Sequence, residues 1–380
     1  MNQQTLVLLS VSAGAGHVRA AEALKATAEQ EYPHLQAIHI DVMDLVPDRF
    51  RKIYADTYIH VVEHHPSLWG YLYRFADRQD ADSMLNQMRK AIERLNTRDL
   101  NTTLKKLQPD HVICTHFLPA SLLSRMVQKR TFNQPVWVVD TDFDIHKMWI
   151  YEGIQGYFAA SEEVAWRMRD RSVRADQIHV TGIPIMPAFR QHLDRNTCAQ
   201  ELGIDPHRTT LLMMSGGAGL GGIEQLAERL LHLQAEFQII VLAGKNEILL
   251  QKLKDLAVHH PDRLIPLGFT HTIERVMAAA DLAITKSGGL TTSECLAMNL
   301  PMIVVSPIPG QEERNADYLL ENGVALKAYD VAGLEYRVKY LLEHPQRLAE
   351  MRQHLQGLGK PHAAREILRI VLGEDSSDSR

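Results

Sequence analysis

Short apolar runs alternate along the chain with longer stretches of helical apolar spacing, the rhythm of βαβ units that lay down a parallel sheet. In the first half this rhythm predicts strands at Thr5–Val11, Ala37–Val42, His111–Thr115, Pro135–Val139 and Gly156–Ala159. It breaks at Gly182-Ile-Pro-Ile-Met-Pro187, where the prolines disfavour helix on both sides and mark an extended connector. It restarts with strands at Thr209–Met214, Gln238–Ala243, Leu264–Leu267, Asp281–Thr285 and Met302–Val305. The pattern predicts an α/β protein of two similarly built domains, residues 1–181 and 188–358, with a linker at 182–187. Helical spacing continues through Glu335–Leu358 and Ala363–Leu372, and Gly373–Arg380 reads as a polar tail.

Composition narrows the class of function. The 380 residues suit two domains of ordinary size, and 45% hydrophobic with 23% charged residues is globular composition. Lys plus Arg (41) against Asp plus Glu (46) leaves −5, so no global positive field exists to hold a nucleic-acid backbone. Cys114, Cys198 and Cys295 are odd in number and widely spaced, which argues against a disulfide framework and a thiolate zinc site and points to a reducing, cytoplasmic setting. Met1–Ser12 has no basic leader and no apolar stretch reaches spanning length, so a membrane role is expected to be peripheral. Pro47–Phe75 interleaves Phe50, Tyr54, Tyr58, Trp69, Tyr71, Tyr73 and Phe75 with Arg49, Arg51, Lys52 and Arg74. It reads either as an aromatic helical insertion buried on its own sheet or as an interfacial surface for anionic lipid.

The chemistry concentrates where strands hand over to helices. Strand Leu282–Thr285 runs into Lys286-Ser287-Gly288-Gly289 and a helix beginning near Leu290, a geometry in which bare N–H groups and the helix dipole cradle a phosphate. Thr291 and Lys286 can supplement it, and Glu294, one turn in, suits the hydroxyls of a ribose. A second glycine loop, Ser215-Gly216-Gly217 to Gly222, opens a helix at about Ile223 and suits the other side of a diphosphate. After strand Met302–Val305 a proline-stiffened loop leads to Gln311, Glu312 and Asn315, groups fit for a hydroxyl-rich ligand.

The first domain has its own glycine turn, Ser12-Ala13-Gly14-Ala15-Gly16-His17-Val18-Arg19. Arg19 occupies the third small-residue position of a dinucleotide fingerprint, which weakens an NAD reading. His17 falls at the helix start, where the dipole disfavours its imidazolium and leaves the neutral ring as a base. Thr115-His116 and Asp140-Thr141-Asp142 end two further strands on the side where open sheets bind ligands. Asp140, Asp142, Asp144 and His146 alternate like metal ligands. A calcium loop fails, because Ile145 holds the glycine position and Tyr151 the bidentate position. A manganese-binding Asp-x-Asp stays open but redundant beside a backbone cradle, so no metal is expected.

The run Lys286-Ser-Gly-Gly-Leu-Thr-Thr-Ser-Glu-Cys-Leu-Ala-Met-Asn-Leu-Pro301 with Pro307-Ile-Pro-Gly-Gln-Glu-Glu-Arg-Asn315 resembles the monogalactosyldiacylglycerol synthase and processive diacylglycerol glucosyltransferase family, of glycosyltransferase family 28 type. Ser12–Arg19, Thr141–Lys147 with Trp149, and Gly182–Pro187 support the resemblance, which spans nearly the whole chain. It implies a GT-B architecture: two Rossmann-like domains with parallel sheets facing an inter-domain cleft, and a final helix, 359–372, returning to the first domain. It implies inverting, cofactor-free and metal-independent transfer of hexose from UDP-glucose or UDP-galactose to diacylglycerol, at the inner face of the membrane. Carried over by position, Ser287, Gly288, Gly289, Leu290 and Thr291 meet the diphosphate, with Ser215, Gly216, Gly217 and Lys286 beside them. Glu294 meets ribose, the Phe269 main chain meets uracil, and Gln311, Glu312 and Asn315 meet the hexose. His17 matches the histidine proposed as general base, with Asp142 or His116 to orient it or the acceptor. Gly14 and Gly16 fall at the acceptor side, and Arg49 and Trp69 at the membrane.

Gly14-Ala15-Gly16-His17 departs from the plant-like Gly-Gly-Gly-His, and Ser287 replaces a common proline, which leaves acceptor choice open. Alternatives are another membrane-borne acceptor, such as a polyprenyl-diphosphate sugar, and a non-catalytic nucleotide-binding module.

Overall fold

The computed structural model describes residues 3–12, 14–46, 99–214, 222–305 and 307–374. They form two compact units, one of residues 1–187, 308–311 and 361–380, the other of 188–307 and 312–360. Each is built on a six-stranded, all-parallel sheet.

In the first unit β1 (Gln4–Ser10) pairs with β2 (Leu35–Asp41) on one side and β3 (His111–Cys114) on the other. β4 (Val136–Val139), β5 (Gly156–Ala159) and β6 (Ile178–Val180) continue outward, giving the order β2-β1-β3-β4-β5-β6. The chain reverses its direction of growth between β1 and β3. Their carboxyl ends therefore diverge into helices on opposite faces and leave a crevice there, the usual ligand site of an open α/β sheet. Leu6 to Leu9 are fully buried because helices cover both faces, so the strand reads as a continuous apolar run.

Helix Ala15–Glu31 covers one face, and the final helix, Ala363–Leu372, packs on it. Ala364, Ile367, Leu368 and Val371 recur at helical spacing and join one core with Leu24, Ala28, Leu6 and Ile113. Burying Ile367 and Leu368 is worth about 1.5–3 kcal/mol each. An Arg365–Glu31 ion pair at 2.5 Å closes the edge of this contact.

In the second unit β7 (Thr209–Met214), β8 (Phe237–Leu242) and β9 (Leu264–Leu267) grow one way. β10 (Leu282–Thr285), β11 (Met302–Val305) and β12 (Ala325–Ala328) grow the other, in the order β12-β11-β10-β7-β8-β9. The reversal lies between β7 and β10, so their carboxyl ends flank the crevice here.

Two strands, β6 and β12, escape the apolar-run rule. Both are edge strands, part-exposed along much of their length, and lack the continuous apolar text of the central ones. The helical text of Glu335–Leu358 is two helices, Val331–Glu343 and Pro345–Leu355, divided at His344 because Pro345 has no N–H to donate into a preceding turn. All three cysteines are free and buried. Among the described residues no helix is long and apolar enough to cross a membrane. Pro47–Phe75, with Arg49 and Trp69, lies outside the described residues.

Candidate functional site

The crevice of the first unit is built around His17, in the first turn of helix Ala15–Glu31. Gly14 precedes it with φ 136° and ψ 136°, a backbone that only glycine adopts without strain, and swings the chain from β1 into the helix. His17 Nδ1 lies 2.9 Å from the Thr115 carbonyl oxygen and 2.9 Å from Thr141 Oγ1. A carbonyl only accepts, so Nδ1 carries the hydrogen and Nε2 keeps its lone pair. The Thr115 hydroxyl donates in turn to the His17 carbonyl at 2.8 Å, locking the helix start to the end of β3. Burial lowers the His17 pKa to about 4, against a smaller upward pull from the Thr115 carbonyl. The ring is therefore neutral, in the tautomer of a base. Burial ranks first in this, where the sequence reading invoked the helix dipole.

His116 caps helix Phe117–Gln128 and stands edge-on to His17, ring centroids 4.6 Å apart and planes at 89°. Phe117, 4.1 Å from His116, and Trp149, 6.0 Å from His17, wall the pair with aromatic carbon. Burial, and then the neighbouring His17, hold the His116 pKa well below the usual imidazole value. Thr115 and Thr141 thus both engage the His17 ring, where the sequence reading had Asp142 or His116 to orient it or the acceptor. Asp142, buried, instead receives a hydrogen bond from the Gln311 amide, since the short segment Ile308–Gln311 belongs with this unit.

Asp140 is fully buried, its carboxyl group close to the backbone N–H groups of Asp142 and Thr141. Burial and then the charges of Asp142 and Asp144 raise its pKa. Among the described residues no group of three or more His, Cys, Asp or Glu is placed to hold a metal ion.

The crevice of the second unit is a helix start without a side-chain cap. Helix Gly289–Ala297 follows Gly288, an N-cap that supplies no side chain; among the described residues no side-chain oxygen caps its first N–H groups, and its first turn has no acidic residue. Its orphan amides are left for an anion. A Cβ on Gly288 would meet a single described atom within 4 Å, Glu312 Oε1 at 3.9 Å, so the glycine borders open space. The Ser287 hydroxyl points inward and donates to the Glu312 carbonyl at 2.6 Å, and Asn315 donates its amide to the Ser287 carbonyl at 2.9 Å. These bonds tie the cradle to helix Gln311–Glu321 and place Glu312 beside Gly288. Ser287 and Asn315 are both fully buried.

Glu294 is buried one turn into the same helix, Leu290 is also buried, and Lys286 and Thr291 stay part-exposed at the rim. Phe269, past the end of β9, is 53% exposed, with the Lys245 ammonium 5.1 Å from its ring centroid and His271 edge-on at 4.9 Å. Lys245 carried no sequence signal beyond its place after β8. Ser215, Gly216 and Gly217 lie outside the described residues.

Two family descriptions match the chain: Monogalactosyldiacylglycerol (MGDG) synthase over residues 17–185, and Glycosyltransferase family 28 C-terminal domain over residues 215–367. A processive diacylglycerol beta-glucosyltransferase of Bacillus pumilus (strain SAFR-032) is 32% identical over 280 residues, covering 73% of this chain and 72% of that protein. The chain belongs to the diacylglycerol glycosyltransferase family. A family member of the same name from Bacillus cereus (strain AH187) is 29% identical over 378 residues, covering 97% of this chain and 94% of its own. Among solved structures, the S. aureus MnaA–UDP co-structure superposes with a TM-score of 0.65 at 13% identity, covering 98% of each chain. MurG of Acinetobacter baumannii superposes at 0.60 and 14% identity, covering 97% of this chain and 99% of its own. These two likenesses establish the fold, two Rossmann-like units of GT-B type.

The histidine of this diacylglycerol glycosyltransferase makes a direct pH prediction. A base of pKa about 4 stays unprotonated far below the 6.5 of an ordinary histidine. With His17 as the general base that the sequence reading expects, the acid limb of kcat/KM falls near pH 4, where protonation removes the lone pair. Rate measurements from pH 3 to 8 check this, and a limb at 6.5 would assign the base to another group.

Proposed function

We propose that this family member is an inverting hexosyltransferase that moves glucose from UDP-glucose to the hydroxyl of diacylglycerol. The proton of the acceptor hydroxyl passes to His17 Nε2 as its oxygen attacks C1 of the sugar. The bond from C1 to the phosphate oxygen breaks with its electron pair, and UDP leaves. Attack opposite the leaving group inverts the anomeric centre, which agrees with the beta linkage in the relatives' names. The diphosphate rests on the free amides at Gly288 and Gly289, with Lys286 and Thr291 at its rim and Ser215–Gly217 on its far side. Glu294 takes the ribose diol, the Phe269 main chain the uracil, and Gln311 and Glu312 the hexose. The backbone supplies the counter-charge, so no metal or cofactor enters the reaction.

The observation that carries this reading is the neutral His17 ring with its Nδ1 hydrogen committed to Thr115, which leaves Nε2 free as a base. Its acceptor is a lipid, and we place the enzyme peripherally on the inner face of the membrane. There Pro47–Phe75 would engage anionic headgroups through Arg49 and Trp69.

The test is incubation with UDP-glucose and UDP-galactose in parallel, on diacylglycerol vesicles with and without anionic lipid, followed by mass spectrometry of the product. Monoglucosyldiacylglycerol, formed faster on anionic vesicles, is the expected result. Galactosyl product would reassign the donor, and equal rates on neutral vesicles would remove the anionic surface. UDP binding with no UDP release on any lipid would leave only a nucleotide-binding module.

A further inference from the structure

His17 and His116 are held in opposite proton states. The His116 Nδ1 accepts the Leu118 N–H at 3.1 Å, the cap of helix Phe117–Gln128, so this nitrogen bears no hydrogen. Its hydrogen is on Nε2. His17 is the reverse, with Nδ1–H given to Thr115 and Nε2 bare. Among the described residues neither Nε2 has a hydrogen-bond partner, and His116 is 3% exposed.

A donor and an acceptor set perpendicular, with ring centroids 4.6 Å apart, form a pair that one small group can complete. That group must offer one hydrogen and accept one. A phosphate oxygen satisfies His116 and repels the lone pair of His17, and an ammonium does the opposite. A hydroxyl does both and keeps a second lone pair for attack. The walls of Phe117 and Trp149 favour a hydroxyl borne on apolar carbon over bulk water.

We propose that His116 is a catalytic residue of the acceptor site, its Nε2–H donating to the oxygen of the hydroxyl whose proton passes to His17 Nε2. The proposal rests on His17 being the base. It gives His116 a role separate from its cap: to aim the remaining lone pair at C1. No net charge is added by the contact, since the hydroxyl proton ends on His17 and the oxygen becomes the glycosidic ether.

The test uses His116→Asn and His116→Asp in the full chain, because both side chains cap a helix well and neither places an N–H as far out as imidazole Nε2. Melting temperature and UDP affinity are expected at wild-type values, while kcat/KM for diacylglycerol in vesicles falls about 100-fold. In His116→Asp the carboxylate beside His17 favours the imidazolium, so the acid limb moves upward, a shift His116→Asn does not show. Wild-type kcat/KM in both variants would reduce His116 to a cap. A rate loss matched by lower melting temperature or weaker UDP binding would equally overturn the proposal. Turnover surviving His17→Ala would bring down the underlying base reading, whatever the His116 variants do.

Discussion

His17→Ala is expected to lower turnover on diacylglycerol by about 10²–10⁴-fold, the range of a lost general base, while UDP affinity measured by calorimetry stays at the wild-type value. The separation follows from where the ring sits. Its Nδ1 is spent on Thr115 and Thr141, both in the first unit, whereas the diphosphate cradle proposed at Gly288 is built from residues of the second. His17→Gln sharpens the experiment. A glutamine amide can donate to the Thr115 carbonyl, so it preserves that anchor but offers no basic nitrogen, and its rate should match the alanine variant. Activity recovered by glutamine would mean that the ring served only to hold the helix start. A fall in UDP affinity would move His17 into the donor site.

Gly288→Val is expected to fold normally and lose UDP. Gly288 has φ −63° and ψ 141°, an extended backbone open to any residue, and a Cβ there meets one described atom, Glu312 Oε1 at 3.9 Å. The protein itself therefore has no objection to a side chain. The branched methyls would stand over the orphan amides of helix Gly289–Ala297, where the diphosphate is to rest. Losing two charge-assisted hydrogen bonds corresponds to about 3 kcal/mol, or about 100-fold in affinity. Thermal melting and UDP calorimetry on the same preparation decide it. Retained affinity would show that the nucleotide lies elsewhere. Gly359→Ala is the contrasting control, because a Cβ there would fall 2.5 Å from the Leu296 carbonyl oxygen. Its loss of UDP binding should come with a lower melting temperature.

Much of this protein was legible in its amino-acid order. Central strands such as β1 and β4 are covered on both faces, so they are written as unbroken apolar runs that announce themselves. The glycine turns at Gly14 and Gly288 mark strand-to-helix junctions whose chemistry is local. Edge strands β6 and β12 were not legible, since half-exposed positions carry mixed text, and Lys245 beside Phe269 was not, since an exposed lysine is common.

Sequence by itself determined two α/β units, the strand ends that border their crevices, and the residue types at them. What the tertiary structure alone decided is what those residues can do. His17 meets Thr115 and Thr141 across 98 and 124 residues of chain, and these contacts, with burial, set which nitrogen holds the hydrogen and at what pH. The same holds for Asp140, a metal-ligand candidate by spacing that folding buries completely, and for Ser287, whose hydroxyl turns inward to Glu312. Proton position and accessibility depend on neighbours brought together by topology, and a linear pattern does not contain them.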